Sequence, residues 1–250
     1  MGKFAKWLGA GAGFTLGGPI GAVIGFVVGS FIDGVTVEDF KEEQEEYIRK
    51  SNNNREKTQS GDFEISLLIL ASIVIKSDGR IDRRELNYVR EYFVNLYGKE
   101  RANHAFKLFN GIVKKDISAR QVCIQIRQYM SHASRLQLIH FLLGIAQADG
   151  AIEVIEEETI KKIAVYLYIS ERDYTSIRMM FASKPENVYG ILEVSKEATD
   201  AEIKAAYRKM VKKYHPDKLI GLGEEHIKAG KQKFQKIQEA YDSIKKQRGF

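Results

Sequence analysis

From Trp7 to Ile32 the chain reads "WLGAGAGFTLGGPIGAVIGFVVGSFI", a run without a single charged residue. As a helix its roughly 26 residues would extend about 39 Å, enough to cross a hydrocarbon core of about 30 Å with some tilt. In water Ile20, Val23, Ile24, Phe26, Val27, Val28 and Phe31 would have nowhere to hide. The run therefore predicts a membrane segment. Gly9, Gly13, Gly17, Gly21, Gly25 and Gly29 recur every fourth residue, which lays a smooth stripe along one helical face. Such a stripe lets two helix backbones approach closely in lipid, so pairing of two copies through it is an expectation. Pro19, after Gly18, leaves a second form open, a short hairpin that returns to the side it entered from.

Lys3 and Lys6 precede the run, whereas Lys41, Arg49, Lys50 and Arg55 follow it. The excess of basic residues leans towards a cytoplasmic C-terminal side. The stretch "VEDFKEEQEEYIRKSNNNREKTQSG" is charged and ends in an Asn run, which reads as a spacer. Beyond it Leu, Ile, Lys, Glu and Ala dominate and only three prolines occur in the whole chain, a mixture that favours helix over sheet. The expected fold class is all-α. Four pieces are expected: an anchor at 1–35, a polar linker at 36–60, a helical domain at 61–183 and a smaller domain at 187–250. The lone Cys123 excludes an intramolecular disulfide and any multi-cysteine zinc module. Its neighbours Val122, Ile124 and Ile126 place it in helix packing.

The helical domain holds an internal near-repeat. "SIVIKSDGRIDRREL" and "GIAQADGAIEVIEEE" each place Asp-Gly, then Ile, then an acidic residue, then Glu. Asp78, Asp82 and Glu85 thus correspond to Asp149, Glu153 and Glu156. Gly79 and Gly150 suit a left-handed turn after a helix, Ile81 and Ile152 are expected to plug the core, and Asp82 with Glu85 has capping-box spacing. The same six carboxylates are the candidate ligands for a divalent cation, which prefers oxygen donors. Neither block has the EF-hand loop pattern. About seven helices joined by such Asp-Gly-x-Ile-acidic turns resemble the TerB-like domain of tellurite-resistance proteins. That resemblance implies an all-helical bundle whose acidic turns are associated with metal.

The last 64 residues begin with Tyr189, Ile191 and Leu192 and lead to Thr199, an N-cap followed by Asp200 and Glu202. A helix to about Tyr214 is expected. Ile203, Ala206, Met210 and Tyr214 lie on its apolar side, and Lys204, Arg208, Lys212, Lys209 and Lys213 on a basic one. Pro216 cannot continue that helix and pushes His215 out of helical geometry. A second helix from about Glu224 to Lys246 presents Phe234, Ile237, Ala240, Tyr241 and Ile244 at core spacing. His215-Pro216-Asp217 then sits at the tip of a helical hairpin.

The ordered set Tyr189-x-x-Leu192, Ala198-Thr199, Glu202-Ile203, Ala206-Tyr207-Arg208-Lys209, Tyr214-His215-Pro216-Asp217-Lys218, Phe234, Ile237 and Ala240-Tyr241 is similar to the J domain of DnaJ-type co-chaperones. With the anchor and the TerB-like piece ahead of it, the chain resembles the membrane-anchored DjlA type. The resemblance implies docking on ATP-bound Hsp70 of the DnaK type and acceleration of its ATP hydrolysis. It assigns binding to Lys204, Tyr207, Arg208, Lys209, Lys213, His215, Pro216 and Asp217. It also implies a single-pass protein of the bacterial inner membrane with both domains in the cytoplasm, no enzyme activity and no required cofactor.

The whole chain carries 39 Lys and Arg against 33 Asp and Glu, a net charge of +6. From Lys204 onward the excess is 13 against 5, or +8, so the basic character belongs to the C-terminal piece. Base-stacking aromatics are not interleaved with these cations, and nucleic acid is not an expected partner. No Walker-type loop and no nucleophile with its base are present. Neither a Gly/Phe-rich linker nor a repeated Cys-x-x-Cys module follows the J-like piece. The competing expectation is a metal-binding TerB-like membrane scaffold with an accessory J domain.

Overall fold

The structure, a computed structural model, describes residues 60–114, 116–148, 150, 152–181, 188–222 and 224–250. The expected anchor at 1–35, the linker up to residue 59 and Asp149 lie outside the described residues. No helix among the described residues is long and apolar enough to cross a membrane.

All regular structure among the described residues is helical, as the apolar spacing requires. The bundle comprises α1 (Ser60–Ile75), α2 (Arg83–Ile112), α3 (Ala119–Tyr129), α4 (His132–Ala146), α5 (Val154–Tyr166) and α6 (Glu171–Met179). Helix α2 is broken at Gly98, whose φ of 80° only glycine adopts without strain, so the six elements read as seven helical stretches. Helices α1 and α4 are nearly all apolar and form the centre, with Phe63, Leu67, Leu70, Leu138, Phe141 and Leu142 sealed from water. They pack on each other and on α2 and α5. Gly144 lets Tyr88 of α2 lie directly on α4, since a Cβ there would fall 2.0 Å from the Tyr88 hydroxyl. Cys123 is buried in this core, and burial pushes its thiol up to about 12, so it packs and does not react.

The two turn glycines take the left-handed geometry that the sequence predicts. Gly79 and Gly150 take φ of 81° and 108°. Asp82 and Glu153 open α2 and α5 with reciprocal capping boxes to Glu85 and Glu156. Ile81 departs from expectation: it is 50% exposed, because the turn directs it outward while Ile152 packs on the core.

The C-terminal piece comprises α7 (Val188–Ile191), α8 (Asp200–Lys213), a 3-10 helix (Pro216–Leu222) and α9 (Glu224–Arg248). Ile203, Met210, Tyr214, Ile237, Ala240 and Ile244 close the hairpin core. Arg248 ties the far end of α9 back to the hairpin base. Its Nε donates to Tyr189 Oη at 3.1 Å and its Nη1 to the Ala198 carbonyl at 2.6 Å. The hairpin does not stand free of the bundle. Helix α9 lies on α2, the 3-10 helix touches α1 and α4, and α6 packs on α7. Ser176 of α6 also donates from Oγ to the Ile191 carbonyl at 2.8 Å in a buried position.

Candidate functional site

Helix α8 starts where Thr199 accepts from the Glu202 backbone N–H, while the Glu202 carboxylate accepts from the Thr199 N–H at 2.7 Å. This capping box sets the phase of every side chain that follows. Tyr207 stacks on Tyr241 of α9, centroids 4.1 Å apart and planes at 13°. Lys204 Nζ sits 4.7 Å over the Phe250 ring. Lys204 and Arg208 are exposed and have no carboxylate partner among the described residues.

At the tip Tyr214 ends α8, and Pro216 begins the 3-10 turn as its fixed φ and missing N–H dictate. His215 is oriented from two sides. Its ring lies edge-on to Phe234 at 6.0 Å. Its Nδ1 accepts from the Asp217 backbone N–H at 3.3 Å and stands 3.4 Å from Asp217 Oδ2. Gly230 allows α9 to approach this turn, because a Cβ there would meet Leu219 Cδ1 at 2.6 Å.

Tyr207, Arg208, Val211, Lys212, His215, Asp217 and Lys218 together line an open cleft of about 550 Å³. Of the expected binding residues, Tyr207, Arg208, His215 and Asp217 are thus gathered on one face. Lys204 continues it one turn earlier, and Pro216 shapes the tip while half-buried. Val211 and Lys218 were not assigned from the sequence. Lys212, which the sequence places only on the basic side of the helix, joins the cleft through its four-residue step from Arg208.

Lys213 is not on that face. Its side chain is 19% exposed, and its Nζ contacts Asp173 Oδ1 of α6 and, at 2.5 Å, Glu193 Oε1. Lys209 leans the same way, 4.0 Å from Glu193 Oε2 with its side chain still 65% exposed. Burial pulls the Lys213 ammonium down to about 8, with Arg172 adding to the effect, and burial pushes the Glu193 carboxyl up. Lys213 remains charged at neutral pH.

The six candidate metal ligands are arranged differently. Asp82 is held by Arg84, whose side-chain and backbone N–H bonds draw the carboxyl down to about 2. Glu85 and Glu156 do meet across the two turns. Burial, followed by the Glu156 contact, raises Glu85 to about 8. Glu156 Oε2 also accepts from the Glu153 N–H at 3.0 Å. Asp78 turns to the Arg80 N–H. Asp149 is outside the described residues. Among the described residues no group of three or more His, Cys, Asp or Glu is disposed to hold a metal, so those present do not fit one.

Fold and tip define a J-domain protein whose hairpin follows a TerB-type bundle: residues 187–248 match the DnaJ domain, and 64–179 match "Tellurite resistance protein TerB". Residues 1–49 match "Co-chaperone DjlA transmembrane domain", which places a membrane-domain sequence where the uncharged run lies. The co-chaperone protein DjlA of Vibrio parahaemolyticus is 31% identical over 215 residues, covering 71% of this chain and 75% of its own. That of Photobacterium profundum is 28% identical over 279 residues and 99% of both chains. That of Escherichia coli K12 is 27% identical over 289 residues and the full length of both. The chain belongs to the DjlA family of co-chaperones, which is not an enzyme class. No solved structure matches it.

Proposed function

We propose that this chain is a membrane-tethered co-chaperone that docks on DnaK-type Hsp70 and stimulates its ATP hydrolysis through His215, Pro216 and Asp217. The observation that carries the reading is the shared open face: Tyr207 and Arg208 flank the same cleft whose mouth holds His215 and Asp217. Arg208, Lys204, Lys209 and Lys212 attract an acidic Hsp70 surface, and Tyr207, backed by Tyr241, adds contact area. Lys213 belongs to the same basic cluster but starts from its pairing with Asp173 and Glu193. The tip then biases Hsp70 towards hydrolysis. Loss of one rim cation mainly slows association, more so at raised salt, whereas a change at the tip removes stimulation. The 1–49 segment anchors the chain as a single pass in the bacterial inner membrane, with both folded domains in the cytoplasm.

The test is single-turnover ATP hydrolysis by a bacterial Hsp70 with the full chain in detergent, beside its His215→Gln variant. Stimulation by the parent and its loss in a variant of unchanged circular dichroism is the expected result. Equal stimulation by both overturns the assignment to the tip.

A further inference from the structure

The sequence places Lys213 among the cations that meet Hsp70, whereas the fold gives it to the helical bundle. Asp173 stands in the first turn of α6 and has partners other than Lys213. The Ser170 hydroxyl donates to its Oδ2 at 2.8 Å and accepts from its backbone N–H at 3.2 Å. Its side chain is 10% exposed, and His132 Nε2 lies 3.5 Å from Oδ2. The other oxygen faces Lys213. Glu193 supplies a second carboxylate from the hairpin side, 5% exposed, in a left-handed backbone position with φ of 59°. Lys213 also lies 5.6 Å from the Tyr214 ring, whose centroid is 5.4 Å from the buried Lys233. Beside it, Ala133 of α4 closes on His215, Leu219 and Gly230, leaving a gap of only about 10 Å³. One side of the tip is the open cleft; the other is covered by the bundle.

We propose that the TerB-like bundle is an internal competitor for the J domain: Asp173, assisted by Glu193, occupies Lys213 in place of the acidic Hsp70 surface. The free chain is therefore partly closed. Hsp70 gains the Lys213 contact, and access to the covered side of the tip, only as the Asp173 pair opens. A fraction of competent hairpin below one lowers the apparent affinity by that fraction. The isolated hairpin keeps only the Glu193 contact, so it is the Asp173 carboxylate of the bundle that sets the Hsp70 concentration at which the co-chaperone acts. This inference rests on the Hsp70 reading given above.

The experiment compares the full chain in detergent with its Asp173→Asn and Asp173→Glu variants, titrating ATP-bound Hsp70 against stimulation of hydrolysis. Asparagine keeps the size and the helix-start hydrogen bonds but removes the charge. Acylation of Lys213, read by mass spectrometry, reports whether the pair has opened. Faster acylation in Asp173→Asn, with half-maximal stimulation reached at an Hsp70 concentration about three- to tenfold lower, is expected. Asp173→Glu should stay near the parent in both. Unchanged acylation in Asp173→Asn overturns the pairing. Faster acylation with an unshifted titration overturns the competition while leaving the Hsp70 reading intact. Absence of stimulation by parent and variants alike overturns the Hsp70 reading, and the competition falls with it.

Discussion

Lys233 gives the sharpest quantitative test of the packing between hairpin and bundle. It is 3% exposed, and burial holds its amine down to about 7 from an ordinary 10.5. His140, also buried, is held well below its ordinary value by burial and by Lys233 itself, so it stays neutral and adds no second positive charge beside the ammonium. A lysine lowered this far opposes folding below its unfolded pKa, and the cost grows as pH falls from 10.5 towards 7. At pH 7 that cost is on the order of 4 kcal/mol. The Tyr214 ring, 5.4 Å from Nζ, returns roughly 1–2 kcal/mol of it. Lys233→Met keeps the length of the side chain and removes the charge. The variant should therefore be more stable by about 2 kcal/mol at pH 7, and the gain should shrink to within about 1 kcal/mol by pH 9.5. Urea unfolding of the fragment from Val35 to Phe250 at the two pH values measures both. A variant no more stable than the parent at pH 7, or a gain that does not change with pH, would refute the reasoning.

The Glu85–Glu156 contact makes a second pH prediction. A carboxyl raised from 4.5 to about 8 contributes fully below about 4.5 and loses that contribution as pH rises through 8. The thermal midpoint of the parent should fall between pH 5 and 8.5, and Glu156→Gln should flatten that fall without abolishing it, because burial remains; an unchanged slope would count against the Glu156 contribution. In the membrane, the glycine stripe predicts that Gly25→Leu lowers crosslinking of paired copies in vesicles at least severalfold. Crosslinking at the parent level in the variant would remove the stripe as a pairing face.

Much of this fold was legible because helices announce themselves locally. Thr199 with Glu202, Asp82 with Glu85 and Gly79 each act within four residues, so spacing alone locates the helix starts and turns. The His215-Pro216-Asp217 tip is equally local: Pro216 must end α8 wherever the chain lies. Ile81 is different, since a turn residue of apolar type faces inward or outward according to the path of the turn, which the local spacing does not record.

By itself, then, the sequence determined the helical class, the order of anchor, bundle and hairpin, and the chemistry displayed at the tip. Those properties depend on contacts between near neighbours along the chain. Only the tertiary structure decided which cations the tip presents. Lys212 and Lys213 are adjacent in the sequence and identical in type, yet one lines the cleft and the other is held by Asp173, forty residues away. An angle of about 100° between successive residues on α8 separates the two faces, but which face meets the bundle follows from how α6, α4 and α9 pack. Lys233 follows the same rule: its burial comes from the two domains closing on α9, a long-range event that no local spacing encodes.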